Sequence, residues 1–401
     1  MPTTHPDLVC LSHLRWDHVF QRPHHLMVRA ARDRRVFFVE EPLEASRRGV
    51  RVEKRGDMTV VVPQLPPGLP EAVRRTVLSA VLRDFLADQG VHRPTLWYYT
   101  PLGLRWTDGI EPSAVVYDCM DELSAFRNAA PELPVLERGL LARADVVFTG
   151  GQSLWERKHR SHPDVHALPS AVDAAHFALA RRPQPDPADQ AAIPHPRLGW
   201  FGVIDERLDL DLLAAVARRR PDWSIVLVGP VAKIDEASIP DLPNVHRLGQ
   251  KSYEELPAYL AGWDVAIMPF ARNEATAFIS PTKTPEYLAG GRPVVSTSIT
   301  DVVRPYGANG LVRIADDADA FEAACEAAMA EDDRTRIRAA DSFLAGISWD
   351  RTWSTMDRHL RRVATSRQAA GVAAVPVPVV RDGVPVMTAM PRASTTRRTD
   401  R

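Results

Sequence analysis

MPFARNEATAFISPTKTPEYLAGGRPVVSTSI, from Met268 to Ile299, holds a strand, a polar loop, a helix and a second strand in close succession. The first strand closes at Pro269 and Phe270, the helix opens near Ser280 to Thr284, and Gly290 with Gly291 stops it before the strand PVVST. The stretch also carries chemistry. Ser280 and Thr282 can cap the helix, whose free N–H groups and positive dipole end make a natural seat for a diphosphate. Lys283 adds a full positive charge to the same anion, and Glu286, one turn on, is placed to accept hydrogen bonds from the two hydroxyls of a ribose.

The strand-helix rhythm extends in both directions. Upstream, short runs rich in Val, Ile, Phe and Tyr occur at 7–12, 35–41, 58–65, 95–102, 114–120, 145–150 and 165–170, with helical patterns near 23–32, 70–88, 134–143 and 151–160 between them. After a Pro-dense stretch, ALARRPQPDPADQAAIPHP (178–196), the rhythm restarts with strands at 197–204, 224–231, 244–250, 264–270, 293–299 and 310–316. Such alternation predicts an α/β chain with two Rossmann-like, doubly wound parallel sheets. The expected division is an N-terminal domain over 1–177, a linker over 178–196, a C-terminal domain over 197–346, a helix over 347–365 that crosses back, and a mostly disordered tail over 366–401 in which VPVPVV can add to a sheet edge. Ligands of doubly wound sheets bind beyond the carboxyl ends of the strands, so two sheets facing each other make a cleft. His13 to Asp17, Asp121, Asp205 to Arg207, and Asn273 to Lys283 all follow strands.

Bulk composition narrows the function. The 50 Lys and Arg residues balance 51 Asp and Glu, so no global field draws nucleic acid or an anionic membrane. A basic face near Arg358, Arg361 and Arg362 leaves peripheral contact with lipid head groups open. Cys10, Cys119 and Cys325 lack metal-ligand spacing and read as reduced core residues, and no apolar run is long enough for a secretory signal or a membrane span, which points to the cytoplasm.

The pattern S-P-x-K-x-x-E-Y-x-A-x-G-x-P-V-V, carried by Ser280, Pro281, Lys283, Glu286, Tyr287, Ala289, Gly291, Pro293, Val294 and Val295, resembles the donor-binding element of retaining glycosyltransferases of family 4, which have the GT-B fold. The resemblance implies that Glu286 binds the donor ribose and that the loop from Asn273 contacts the transferred sugar and its diphosphate. It also implies that the loop after Gly202 supplies cations to the phosphates. Arg207 fits the later of two such positions, while the earlier is Val203; many members carry a Glu where this chain has Phe278. Asp205 and Glu206 can hold Arg207, accept from sugar hydroxyls, or cap the helix beginning near Asp209. Trp16, Asp17, Gln21, Arg22, Pro23 and Leu26 resemble the opening W-D-x-x-x-Q-R-P-x-x-L of the teichuronic-acid-type subgroup, with Arg15 or Arg22 facing the diphosphate or an anionic acceptor. Asp118 and Asp121 bracket a strand end where a carboxylate can orient an acceptor hydroxyl, Asp121 being the better candidate.

The residues and the resemblance together imply a hexosyltransferase that takes a nucleoside diphosphate sugar and a glycan or lipid-linked acceptor, needs no metal or other cofactor, and binds no nucleic acid. The other reading is a non-catalytic nucleotide-sugar-binding or scaffold subunit of a polysaccharide-synthesis system.

Overall fold

A computed structural model of the chain describes residues 5–370, 379–381 and 384–386. The first half forms a nine-stranded sheet of β1 (Leu8–Leu11), β2 (Val36–Val39), β3 (Leu43–Glu44), β4 (Gly49–Arg55), β5 (Met58–Leu65), β6 (Thr95–Tyr98), β7 (Ala114–Cys119), β8 (Val146–Thr149) and β9 (Val165–Ala167). Its order is β3-β5-β2-β1-β6-β7-β8-β9, parallel throughout, with β4 antiparallel on β5. Strands β1, β2, β6, β7 and β8 are buried at every position, as their near-continuous apolar runs require of strands covered on both faces.

One face packs against Leu78, Leu82 and Leu86 of the helix Glu71–Asp88 and Leu140 of the helix Leu133–Arg143. The other packs against Leu26, Met27 and Ala30 of the helix Arg22–Ala30, and against Trp349, Trp353, Met356, Leu360 and Val363. Those five belong to the last long helix, Trp349–Ala370, so the end of the chain completes the core of its first half. At roughly 1.5–3 kcal/mol for each large apolar side chain taken from water, this face of the helix is a main tie between the two ends of the sequence.

The second half forms a six-stranded parallel sheet of β10 (Arg197–Phe201), β11 (Ser224–Val228), β12 (Val245–Gly249), β13 (Val265–Met268), β14 (Val294–Ser296) and β15 (Arg313–Ile314), in the order β12-β11-β10-β13-β14-β15. The Pro-rich stretch straps onto this lobe instead of hanging free. Gln190 is fully buried, accepting from Trp263 Nε1 at 2.9 Å and donating to the Tyr259 carbonyl at 3.1 Å, and Asp186 pairs with Arg197 at 2.5 Å.

The strand β4 has no counterpart among the expected elements, since its GVRVEKR sequence is half-polar and suits an edge. In the tail the last helix continues to Ala370, and β16 (Val379–Arg381) pairs antiparallel with β17 (Val384–Val386), so Val379 and Val380 pair there and not on a main sheet. The other tail residues lie outside the described ones. All three cysteines are buried and unpaired, and no described helix is long and apolar enough to cross a membrane.

Candidate active site

The site begins where β10 stops. Gly202 has φ 140°, a conformation that L side chains rarely adopt, and a Cβ placed there would lie 2.3 Å from Lys283 Cε and 2.5 Å from Lys283 Nζ. Gly229, at the end of β11 with φ 145°, backs onto it: a Cβ there would meet the Gly202 carbonyl at 1.9 Å. The two glycines therefore leave a backbone-lined trough into which Lys283 extends. Phe201 N–H donates to the Tyr287 hydroxyl at 2.9 Å, fixing the helix Lys283–Ala289 against the strand end.

Lys283 Nζ lies 4.6 Å from the centre of the Trp200 ring, and Arg207 comes from the loop after β10. Asp205 holds the Arg207 guanidinium through Nε at 2.9 and 3.1 Å and Nη2 at 2.7 Å, so of the sequence alternatives for Asp205 it takes that of holding Arg207. The helix Leu210–Arg219 is capped by Asp209. Burial, reinforced by Arg207, pulls the Lys283 ammonium below the usual lysine range, while Glu286, Asp205 and Asp121 resist. Burial pushes the Glu286 carboxyl above the usual range against the pull of Lys283. A dry pair so placed favours an anionic, hydroxyl-bearing ligand that would satisfy both groups. Thr282 is the N-cap residue of the helix, but neither it nor Ser280 makes the expected side-chain cap; Ser280 offers its carbonyl to Ser170 Oγ at 2.8 Å, across the lobes.

From the first lobe come Gln21 and Asp121. Gln21 lines both cleft cavities, one with Gly202, Arg207, Gly229, Gln250, Tyr253, Lys283 and Glu286, the other with Asp121, Arg207, Ser280, Thr282 and Lys283. Burial raises the Asp121 carboxyl to about 6, with Arg207 and Lys233 of the other lobe opposing the rise. Arg22 also reaches the second cavity, but its guanidinium is spent on Asp118, at 2.9 to 3.1 Å, and on the Leu168 carbonyl at 2.7 Å. Arg22 and Asp118 are an internal strut, which also removes Asp118 from any role toward a hydroxyl.

The remaining expectations fall elsewhere. Arg15 binds Glu40 Oε2 at 2.8 Å and the Glu41 carbonyl at 2.7 Å, and Asp17 pairs with Arg55 at 2.7 Å on the surface; neither lines the cleft cavities. Asn273 shapes its own loop, its Oδ1 accepting from Ala275 and Thr276 N–H at 3.0 and 3.2 Å. His24 and His25 are buried: His24 Nδ1 accepts from Gln21 N–H at 3.0 Å while Nε2 faces the Trp16 carbonyl at 2.8 Å, and His25 stacks on Trp349 at 4.5 Å.

Residues 195–331 match the family model described as glycosyl transferases group 1. The matched stretch is 137 of the chain's 401 residues and takes in the second lobe from β10 onward. Over 254 residues the chain is 28% identical to TuaH of Bacillus subtilis strain 168, named as a teichuronic acid biosynthesis glycosyltransferase; the match takes in 58% of this chain and 63% of that relative, so the chain spans less than two thirds of the relative's length. Among solved structures, the sucrose-phosphate synthase of Thermosynechococcus elongatus is similar with a TM-score of 0.67 at 15% identity, over 90% of this chain and 100% of that one. The UDP-forming α,α-trehalose-phosphate synthase of Burkholderia xenovorans in complex with glucose-6-phosphate gives 0.64 at 14%, over 89% and 100%. The fold is GT-B.

The described residues place two lysines at or near the GT-B cleft that the sequence did not single out: Lys251, which lines the first cavity, and Lys233, which lines neither. Lys233, in the loop after β11, has φ 60° and brings Nζ to 4.9 Å from the Phe126 ring centre, while Arg207 Cζ sits 5.5 Å from the same ring. Its charge is felt by His13, Glu41 and Asp121 of the first lobe. No motif surrounds Lys233; only its left-handed backbone and the cleft geometry mark it. Phe278, by contrast, packs toward the first lobe's core with Arg157 over its ring at 5.0 Å.

The trough makes a specific demand on Gly202. Gly202→Ala is expected to strain the backbone, whose φ of 140° an L side chain rarely adopts, and to push the flexible end of Lys283 aside. Calorimetric titration with a nucleoside diphosphate should show affinity falling by roughly tenfold or more, about 1.4 kcal/mol, alongside some loss of thermal stability from the strained backbone; unchanged affinity would mean that Lys283 does not meet the phosphates.

Proposed function

We propose that the chain is a glycosyltransferase that moves a hexosyl group from a nucleoside diphosphate sugar to a hydroxyl of a glycan or lipid-linked acceptor, with retention at the anomeric carbon, in bacterial cell-envelope polysaccharide synthesis. The observation that carries this reading is the convergence of Arg207, Lys283 and Glu286 beside the Gly202–Gly229 trough, opposite Asp121 and Gln21 of the other lobe. The group 1 match lies on the lobe that holds the cations, and the similarity to TuaH supports the envelope assignment.

In this reading Arg207 and Lys283 take the diphosphate, Glu286 takes the ribose hydroxyls, and Asp121 orients the acceptor hydroxyl. The leaving diphosphate gains charge as the sugar bond breaks, so cations already fixed in a dry cleft stabilise the transition state more than the bound donor. The side chains present suffice for the phosphate charge, so no metal is called for. The two cleft cavities, about 100 and 80 Å³, are well below the several hundred Å³ of ordinary ligand sites, so the lobes must part to admit a donor. Among the contacts that would yield are the Phe20–Tyr253 stack at 4.5 Å and the bond from Gln250 Nε2 to the His18 carbonyl.

Incubation with UDP-, GDP- and dTDP-sugars and a lipid or glycan acceptor should release nucleotide, and Glu286→Ala should bind the donor about ten- to a hundredfold more weakly, as loss of hydrogen bonds to a charged group implies. Donor binding without turnover under every acceptor condition would favour the scaffold reading.

A further inference from the structure

Away from the cleft, Asp164, His166 and His359 each offer a ligand atom within 4.8 Å of the others. We propose that these three side chains form a binding site for a divalent transition metal of the Zn²⁺ class, a staple between the edge strand β9 and the last helix.

Several observations meet at this point. Two imidazoles and one carboxylate make a three-ligand set suited to borderline metals, with a water completing a tetrahedron. His166 Nε2 already lies 2.7 Å from Asp164 Oδ1, and the two imidazole rings are 3.9 Å apart, so little movement separates the side chains from a common ion. Phe148, fully buried on β8, borders both rings at 6.2 and 5.9 Å and limits where they can turn. A cation already bridges part of the set: Arg362 Nη2 donates to Asp164 Oδ2 and lies 3.4 Å from His359 Nδ1. The Arg362 side chain is 54% exposed, so it can swing into water when a metal takes its place. The protein thus holds a carboxylate and an imidazole toward a shared positive charge, and a metal would replace a single, mobile point of contact with three bonds.

The location gives the site a consequence. Among the described residues strand β9 is the edge of the first sheet, and the helix Trp349–Ala370 covers one face of that sheet. A metal here ties that helix to the edge it crosses, which is a structural role independent of sugar transfer.

Titration of the metal-free full-length protein with Co²⁺, in excess Mg²⁺, should give one equivalent of visible d–d absorption that Zn²⁺ displaces. His359→Ala and His166→Ala should each weaken binding by more than the roughly 10- to 100-fold that follows loss of a second-shell partner, with far-ultraviolet circular dichroism unchanged. Arg362→Gln, which removes the competing cation, should bind more tightly than the wild type. The proposal is overturned if the wild type takes up no stoichiometric Co²⁺ or Zn²⁺, if both histidine variants bind as the wild type does, or if Arg362→Gln fails to tighten binding.

Discussion

Lys283→Ala should lower nucleotide-releasing turnover by about 10²- to 10³-fold while donor binding weakens less, the signature of a donor aimed at charge that develops in the transition state. The ammonium is held in a cramped, mostly dry position: under it is the glycine trough, beside it the Trp200 ring, and opposite it the forked Arg207–Asp205 pair. Because burial and Arg207 depress its pKa, the pH profile provides a second reading of the same residue. The charged form is the active one, so turnover should fall as pH rises through the lowered pKa, earlier than for an ordinary lysine. Lys283→Arg, charged at every accessible pH, should remove that alkaline limb even where its turnover is reduced. Steady-state kinetics from neutral to alkaline pH with donor well below KM, where the profile reports the free enzyme's groups, would test both parts; an alkaline limb that persists in the arginine variant belongs to another group. Arg207→Ala should cost a similar amount, but with a broader effect, because it also leaves the buried Asp205 carboxylate without its partner.

The difference between the two halves of the cleft explains how far the sequence could be read. On the second lobe the functional groups are local: Gly202 and Arg207 lie in one loop, Ser280 to Glu286 in another, and strand-helix spacing alone carries them to the sheet's carboxyl edge. The fold was legible for the same reason, since runs such as LVCL, VFFV and SIVLV suit only strands buried on both faces. The first lobe depends on pairings distant in sequence. Arg15 and Asp17 are close to Gln21 in the chain, but Glu40 and Arg55 draw them outward, and neither partner carries a motif. Arg22 looked available for a phosphate because nothing in its neighbourhood shows that Asp118, at the end of β7, claims it. Lys233 and the Asp164–His166–His359 group were invisible for a related reason: their meaning lies in a backbone angle and in a helix that returns from the far end of the chain.

That strut between Arg22 and Asp118 is where the largest loss of stability should occur. Both side chains are out of solvent, at 2% and 0% exposure, and every oxygen and nitrogen in the pair is committed to a short bond or to the Leu168 carbonyl. Removing one partner strands a charge in the interior, which typically costs about 3–5 kcal/mol, whereas replacing both with apolar groups of similar volume often costs far less. Asp118→Ala and Arg22→Met should therefore each lower the first thermal transition by about 10 °C, and Arg22→Met with Asp118→Leu should recover much of the loss. Equal instability of the double and single variants would show that packing, not the unpaired charge, sets the cost. The strut also reaches the cleft, because Arg22 fixes the Leu168 carbonyl, and two residues on, Ser170 Oγ holds the Ser280 carbonyl of the donor loop. The double variant separates these roles: if stability returns while donor affinity stays reduced, Arg22 acts through the Leu168–Ser170 segment to set the position of the loop that receives the sugar.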